Sequence, residues 1–161
     1  MGFVSVNEFD KFGYEDCQVV KIERTGTGFV LTLEALIVRA RNSQNSNYTD
    51  SYSGTTLLNL ENAEIVSMIK EGYSKYDAND KLICEIEDEV VSNDVWKEFF
   101  IKNERVFLVS FEAKKTDDKL SGVLEFEMPA NIGDVPDTYE MTISFTSAKF
   151  SWESYMNRVQ N

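Results

Sequence analysis

The fold is decided by the stretch from residue 18 to residue 40, which reads QVVKIERTGTGFVLTLEALIVRA. Apolar and polar side chains alternate on both sides of Thr25-Gly26-Thr27-Gly28, a pattern that predicts two half-buried strands around a turn. We expect Gln18–Arg24 and Phe29–Ala40 to form a β-hairpin, because glycine supplies the positive φ that tight turns need. The side chains predicted to face the core are Val20 and Ile22 from the first strand, and Phe29, Leu31, Leu33, Ala35 and Ile37 from the second.

The same alternation recurs along most of the chain. Arg41–Ser53 is polar and predicts a loop, and Pro129 is expected to end a strand because it cannot donate to a ladder. Leu82, Cys84 and Ile86 are predicted to face inward from one strand, and Phe107, Val109 and Phe111 from another. The further predicted strands are Thr55–Leu60, Ala63–Ile69, Lys81–Val91, Arg105–Lys114, Leu120–Met128, Tyr139–Phe145 and Ala148–Tyr155.

One segment has the pattern of a helix. Ser92 is a suitable N-cap for Ser92–Asn103, and Val95, Trp96, Phe99 and Phe100 form an apolar stripe at helical spacing. Helical propensity around Ile65–Lys75 is an alternative to the strand predicted there. No alternation of strands and helices suggests parallel βαβ units. The predicted fold is therefore mainly β, an antiparallel β-sandwich or partly open barrel of about eight strands with one short helix.

The length of 161 residues predicts one globular domain spanning 1–161. Two meander halves, about 17–70 and 104–156, are suggested by internal similarity. Residues 58–65 parallel residues 143–150 in the placing of apolar side chains, and residues 28–34 parallel residues 122–128. The alternative is that any two amphipathic strands match at this level, because period-two alternation is common to all of them.

The charge balance limits the choice of partner. With 16 basic and 28 acidic residues the net charge is −12, so phosphates and anionic lipids repel the chain. We therefore expect no nucleic acid and no membrane as partner, and a basic protein is favoured. The N-terminus has no basic segment followed by an apolar run, so the expected location is cytoplasmic. Cys17 and Cys84 are expected to be reduced and buried.

The catalytic repertoire is narrow because the sequence contains no His. Serine and cysteine nucleophiles normally need an imidazole base, and catalytic zinc sites normally need His ligands. Neither phosphate-binding glycine motif is present. Asp77-Ala78-Asn79-Asp80-Lys81-Leu82 starts like a calcium loop, but its sixth position holds Leu82 where an EF-hand needs glycine. We predict no catalytic residues, no metal site and no cofactor, and thus a protein that is not an enzyme.

Acidic residues are concentrated between residues 77 and 94, where seven acids accompany the single base Lys81. In a continuous strand over Lys81–Val91, alternate carboxylates would share one face at about 7 Å spacing. Such a face would accelerate encounter with a basic partner. The alternative is a solvent-facing strand relieved by Lys residues on a neighbouring strand, or an edge strand whose charges only prevent edge-to-edge pairing. The predicted partner-binding residues are Glu85, Glu87, Asp88 and Glu89.

Four tyrosines, Tyr48, Tyr52, Tyr73 and Tyr76, fall in predicted loops beside Asn, Ser and Gly. Tyrosine offers a large contact area at low entropic cost, which suits recognition of a small ligand or a carbohydrate. The alternative is that these rings only cover the rim of the core. The predicted ligand-binding residues are Tyr48, Tyr52 and Tyr76.

The segment Phe12-Gly13-Tyr14-Glu15-Asp16-Cys17, followed by Val19, Val20 and Ile22, resembles the opening of small bacterial β domains. Some of those domains are immunity proteins of toxin systems, although this sequence lacks the His that usually lies near the Asp. The resemblance implies an acidic inhibitor that docks a basic partner protein. The function expected from the sequence is therefore non-enzymatic binding of this kind, with a small-ligand or carbohydrate-binding module as the alternative. The oligomeric state is left open.

Overall fold

The computed structural model describes residues 2–92, 105–129 and 136–158. It is mainly β, with 63% of residues in strands and 2% helical. The helix predicted over Ser92–Asn103 lies outside the described residues except at Ser92. The described elements, in chain order, are β1 (Phe3–Val6), the 3₁₀ turn η1 (Phe9–Lys11), β2 (Phe12–Gly13), β3 (Gln18–Arg24), β4 (Phe29–Glu34), β5 (Ile37–Val38), β6 (Ser51–Ser53), β7 (Thr56–Glu61), β8 (Glu64–Lys70), β9 (Tyr73–Tyr76), β10 (Leu82–Ile86), β11 (Glu89–Val90), β12 (Val106–Thr116), β13 (Lys119–Met128), β14 (Asp137–Phe145), β15 (Ser147–Trp152) and β16 (Tyr155–Arg158).

Ten of these strands form one antiparallel sheet, which is not closed into a barrel. Its order is β1-β15-β7-β4-β3-β12-β13-β14-β8-β11. We call the five strands from β1 to β3 the first half-sheet and the five from β12 to β11 the second half-sheet. Their inward faces supply one apolar core, in which rings from both halves meet: Phe111 of β12 lies 6.4 Å from Phe150 of β15. The predicted mainly β antiparallel fold is confirmed.

The strand order repeats between the halves. β3, β4 and β7 are neighbours in the first half-sheet, and β12, β13 and β14 are neighbours in the second, but β15 pairs with β7 while β8 pairs with β14. The strand that follows each three-stranded meander in the chain therefore pairs with the other meander: β8 follows β7 but pairs with β14, and β15 follows β14 but pairs with β7. The tight turns after β7 and β14 also meet, since Asn62 Nδ2 donates to Thr146 Oγ1 at 2.9 Å. This strand order is what two copies of a four-stranded unit would give if each copy exchanged its last strand with the other. The duplication itself stays a prediction.

Two internal parallels in the sequence fare differently in the sheet. In the first, buried residues match buried residues: Leu58 with Ile143, and Leu60 with Phe145. In the second, Phe29 is buried, whereas its counterpart Val123 is only half-buried. The inward residues of β13 are instead Gly122, Leu124, Phe126 and Met128. The second parallel is therefore out of phase by one residue.

Bulges correct two predicted inward faces. A register shift in β3 between Val19 and Lys21 leaves Val20 half exposed and turns Val19 into the core beside the partly buried Ile22. A register shift in β12 between Leu108 and Ser110 acts in the same way. Val106, Leu108 and Phe111 are buried there, whereas Phe107 and Val109, predicted to face inward, are half-buried. One extra residue reverses the alternation of the side chains beyond it.

The long strand predicted over Phe29–Ala40 is interrupted. Ala35 has a φ of 57° and ends β4, so Ala35 does not continue the inward face. The next three residues, Leu36, Ile37 and Val38, are all buried, because β5 enters a second sheet with order β16-β6-β5-β2. β6 (Ser51–Ser53) belongs to this sheet, so the predicted loop is shorter than expected.

The strand predicted over Lys81–Val91 is two strands in two sheets. β10 pairs with β9 in a separate two-stranded sheet, and β11 pairs with β8 at the edge of the large sheet. Leu82 and Ile86 are about half exposed and Cys84 is half-buried, so the predicted inward face is wrong. A strand also replaces the helical alternative near Ile65–Lys75, where β8 runs from Glu64 to Lys70.

Both cysteines are free thiols, as predicted. Burial raises the pKa of the Cys17 thiol to about 12, so Cys17 behaves as a small core residue. Cys84 is only partly buried. In the described ranges, we find no helix of the length and apolar character needed to cross a membrane.

Candidate interaction surface

The β9–β10 hairpin is held by its own turn. The Asp77 carboxylate accepts hydrogen bonds from the backbone nitrogens of Asn79 at 2.8 Å and Lys81 at 2.9 Å. Asp77 N donates to Lys81 O at 2.8 Å, and Asp80 takes the left-handed φ of 60° that Asp tolerates in turns. The segment that begins like a calcium loop is therefore a hairpin turn whose first carboxylate is used by the backbone.

The base of the hairpin is fixed by Gly72. A Cβ at this position would lie 2.0 Å from Ile86 O and 2.6 Å from Glu87 C, so only glycine lets the two chain segments approach so closely. Gly72 N donates to Asp88 Oδ1 at 2.6 Å. Asp88, predicted as a partner-binding residue, thus has a structural partner where the chain passes from β10 to β11.

Large exposed apolar side chains are concentrated between residues 66 and 90. Ile83 is 64% exposed and Val90 is 78% exposed, although both belong to strands. Exposed apolar residues scattered singly need no explanation, whereas a contiguous exposed apolar patch would indicate an interaction surface. We call this set the 66–90 surface; its apolar members are Val66, Tyr76, Leu82, Ile83, Ile86 and Val90.

A row of side chains crosses the large sheet beside the hairpin. Val90 on β11 lies opposite Ile69 on β8, Ile69 opposite Glu140 on β14, and Glu140 opposite Glu125 on β13. Directly opposed residues project from the same face of a sheet, so this row presents two apolar side chains followed by two carboxylates. Two like charges opposite one another destabilise a sheet. Ser110 on β12, the next residue along the row, donates a hydrogen bond from its hydroxyl to Glu125 Oε2 at 3.3 Å and offsets part of this repulsion.

Glu71, at the end of β8, extends this acidic group. Its pKa is raised, first by burial and then by the negative charges of Glu125, Glu140 and Asp88, and a hydrogen bond with the Glu125 carboxyl adds to the effect. These interactions connect the acids of the sheet to those of the hairpin base. Sequence reasoning missed Glu71, Glu125 and Glu140 because the three are far apart along the chain, and only the strand register brings them together.

The four predicted partner-binding acids do not form the regular ladder expected of one strand. Glu85 lies on β10 opposite Ser74, and Glu89 lies on β11 opposite Lys70. Glu87 and Asp88 occupy the connection between these two strands. All four are exposed, and Asp88 also lies close enough to Glu71 to affect its pKa.

The predicted ligand-binding tyrosines lie on different elements. Tyr48 is in the loop before β6 with a φ of 59° and is 94% exposed, whereas Tyr76 ends β9 in the two-stranded sheet. Tyr52 lies in β6 and lines a cavity of about 470 Å³. Tyr52 Oη donates to Asp16 Oδ2 at 2.8 Å, which raises the pKa of the phenol because the hydrogen bond favours its neutral form. Tyr73, also predicted in a loop, begins β9.

A larger cleft of about 580 Å³ lies between the chain from Phe9 to Glu15 and the middle of β12. Arg39 lines it, but Arg39 Nη1 bonds Asp50 Oδ2 at 3.0 Å and its other terminal nitrogen bonds Glu15. A Cβ at Gly13 would lie 2.7 Å from Arg39 Cζ, so glycine allows the guanidinium to lie against the backbone. Because both ends of the guanidinium are engaged by carboxylates, this cleft is a poor site for an anionic ligand.

Within the described ranges, His, Cys, Asp and Glu side chains nowhere gather in groups of three or more that could hold a metal ion. Comparison of the chain with protein-family models, curated proteins and solved structures finds no match. The arrangement of apolar and acidic side chains on the 66–90 surface and its neighbouring sheet is therefore the main guide to function.

Proposed function

We propose that this protein binds a basic protein partner through the 66–90 surface and the adjoining acids of β13 and β14. The single observation that carries the proposal is the row Val90–Ile69–Glu140–Glu125, which combines exposed apolar area with an unfavourable pair of carboxylates. A cationic and partly apolar partner would cover the first and neutralise the second. The immunity or inhibitor role expected from the sequence is the most specific form of this proposal.

The apolar and acidic side chains serve different steps of such binding. Carboxylates such as Glu85 and Glu87 attract a basic partner at a distance and accelerate the encounter, an effect that salt screens. Ile83 and Val90 lose contact with water only in the final complex, and their burial slows dissociation. The net charge of −12 strengthens the steering without specifying where the partner docks.

The test is a titration with a defined probe, an amphipathic helical peptide of Lys and Leu, followed by calorimetry at low and at physiological salt. We expect Glu85→Lys/Glu87→Lys to weaken binding by about tenfold or more, because each reversal replaces attraction by repulsion. The matched control is Asp118→Lys/Glu153→Lys, which changes the net charge equally at exposed positions elsewhere. Equal loss in both variants would show that only net charge matters and would refute the proposed surface.

The apolar part of the surface has its own test with the same peptide. Ile83→Ser is expected to speed dissociation, while Val20→Ser, at an exposed position on β3, is the control. Stopped-flow measurement separates the association and dissociation rates. If Ile83→Ser leaves dissociation unchanged, the apolar residues do not belong to the binding surface.

A second candidate function is binding of a small polar ligand in the cavity beside Tyr52. Polar groups of Gln18, Glu34 and Thr55 share this cavity with the exposed Met156. An aromatic ring with nearby carboxylate and amide groups suits a carbohydrate. Chemical-shift mapping with glucose and galactose tests this: shifts at Tyr52 that disappear in Tyr52→Ala but remain in Tyr48→Ala support it, and an unchanged spectrum rejects it.

A further inference from the structure

β12 has an open edge. It pairs with β13 from Phe107 to Thr116, but with β3 only at Val106 and Phe107. One more hydrogen bond joins Leu108 N to Cys17 O at 2.9 Å, after which the chain before β3 turns away. In the described ranges, no strand pairs with residues 109–116 on that side. This edge is longer than β1 or β11, which end the large sheet.

The hairpin geometry identifies the backbone groups at this edge. β12 and β13 are joined by the two-residue turn Asp117-Asp118, with Thr116 opposite Lys119. The closing pair of such a hairpin exchanges both hydrogen bonds, so Thr116, Lys114 and Glu112 direct their N–H and C=O groups to β13. The alternate residues Phe111, Ala113 and Lys115 therefore direct theirs to the open edge.

A cleft borders part of this edge, and it is narrowed at Phe111, whose ring lies 5.4 Å from that of Phe9. The 580 Å³ cleft is bordered by β12 from Val109 to Ala113 and, across the gap, by the segment from Phe9 to Glu15. Beyond Ala113 the hairpin is exposed as far as Lys119. An added strand needs about 4.8 Å from β12 for its hydrogen bonds.

Two opposite charges flank Ala113 on the outward face. Glu112 and Lys114 are both exposed and project from the same face, because they are two residues apart on one strand. In the described part of the chain, neither side chain has an ion pair with another residue. Natural proteins often protect an open edge with like charges, which repel a second strand. Glu112 and Lys114 lie symmetrically about Ala113, so in an antiparallel pair with a second copy each would face the opposite charge and attract that strand.

We propose that this edge is a homodimer interface in which β12 pairs antiparallel with β12 of a second copy, centred on Ala113. In this register Ala113 faces Ala113 of the partner subunit, and Glu112 faces Lys114 of the partner subunit in two symmetry-related pairs. Phe111, Ala113 and Lys115 each meet a residue whose backbone groups also point to the edge, so the ladder continues from one sheet into the other.

The neighbouring registers are less favourable. The same backbone parity permits centres at Glu112 and at Lys114, but these place Glu112 opposite Glu112 or Lys114 opposite Lys114. Like charges directly opposite destabilise a strand pair, whereas opposite charges stabilise it. Among these three registers the charge pattern therefore selects the one centred on Ala113, and a second copy of the chain is the occupant that fits it.

Sedimentation velocity over a range of concentrations tests the proposal. We expect a monomer–dimer equilibrium for the natural sequence, and a dissociation constant about tenfold higher or more for Glu112→Lys and for Lys114→Glu, because each single reversal makes both symmetric pairs repulsive. The double variant Glu112→Lys/Lys114→Glu restores opposite charges and should restore the dimer. Lys119→Glu, on the opposite strand of the hairpin, is the charge-matched control for Lys114→Glu.

Four outcomes would contradict the proposed interface or its register. A natural sequence that stays monomeric at millimolar concentration overturns the interface, and so does any assembly larger than a dimer. A dimer that is unaffected by both single variants, or that the double variant fails to restore, overturns the Ala113 register. These measurements use no basic partner, so they succeed or fail independently of the proposed function.

Discussion

In the first half-sheet the outward carboxylate of Glu61 bonds Lys149 Nζ at 3.4 Å and Ser147 Oγ at 2.9 Å. In the second half-sheet Glu125 lies directly opposite Glu140 on the neighbouring strand. Each carboxylate accepts a hydrogen bond from a serine hydroxyl, but Glu61 also has a lysine partner, whereas Glu125 faces a second carboxylate. Features that both half-sheets share are those that the fold requires. Features found in only one half-sheet point to a role other than folding.

The inward faces show the requirement. Leu58 and Ile143 occupy matching places on β7 and β14 and are both fully buried. Ala63, just before β8, and Ala148, in β15, are also buried. Burial of such side chains supplies most of the stability of a β domain, so it tolerates little variation. Outward positions are free to differ, and an unfavourable outward pair points to a role other than folding.

The largest effects are expected where the halves are equivalent. Leu58→Ala and Ile143→Ala should each lower the free energy of unfolding by about 3 kcal/mol, because both leave a cavity in the shared core. Leu57→Ala, at a half-exposed neighbouring position, should cost under about 1 kcal/mol. Urea unfolding measures all three. A cost confined to one half would mean that the half-sheets do not share one cooperative core.

Substitution of Gly28, just before β4, and of Gly122, on β13, should destabilise the two half-sheets to different extents. A Cβ at Gly28 would lie 1.9 Å from Leu60 O, a backbone atom, whereas at Gly122 it would lie 2.8 Å from a ring carbon of Phe145. Rings can rotate but the paired backbone cannot, so we expect losses of about 3 kcal/mol for Gly28→Ala and about 1 kcal/mol for Gly122→Ala.

Gly26→Ala is the control for both, because a Cβ there has no atom within 4 Å. Thermal unfolding of the three variants gives the comparison directly. Equal losses at Gly28 and Gly122 would contradict the distinction between a backbone obstacle and a side-chain obstacle.

Alternation in the sequence was enough to predict the fold class and several strands, including Gln18–Arg24 with its bounds. It failed at Val20 and Val109, because a bulge inserts one residue without any local sign in composition. It also failed at Leu82 and Ile86, where the pattern resembles an inward face but the hairpin leaves both side chains exposed. Alternation of apolar residues indicates that one face of a strand is apolar. It does not indicate whether that face is buried within the same chain.

The candidate surface was only partly predictable. The acids of residues 85–89 stand out as a run in the sequence, whereas Glu125 and Glu140 become neighbours only through the register of β13 and β14. Pairing between distant strands has no local signature. The sequence grouped Tyr48, Tyr52 and Tyr76, but the structure separates them: Tyr48 lies in a loop, Tyr52 in the four-stranded sheet and Tyr76 in the two-stranded sheet.

A smaller effect is expected from neutralising one carboxylate in each half. Glu140→Gln should stabilise the protein by about 0.5 kcal/mol at pH 7, because it removes repulsion with Glu125. Glu61→Gln should destabilise it slightly, since it removes the ion pair with Lys149. Chemical unfolding at low ionic strength gives both signs. Destabilisation by Glu140→Gln would show that the carboxylate has a favourable partner and would weaken the proposed docking surface.

The smallest effect is a pH dependence of opposite sign in the two halves. The Ser147 hydroxyl and then Lys149 lower the pKa of Glu61, so its contribution to stability is present at neutral pH and is lost as the pH falls through that lowered pKa. Burial and three neighbouring carboxylates raise the pKa of Glu71, so its contribution is fully present below the unfolded-state pKa near 4.5 and is lost as the pH rises through the raised value. Carboxyl titration by NMR should give a midpoint below 4.5 for Glu61 and above it for Glu71.

Adding the Lys and Leu peptide should move the Glu71 midpoint down and leave Glu61 unchanged, because a bound cation favours the ionised carboxylate only where it docks. Equal movement at both sites would mean that the peptide recognises the net charge and not the second half-sheet.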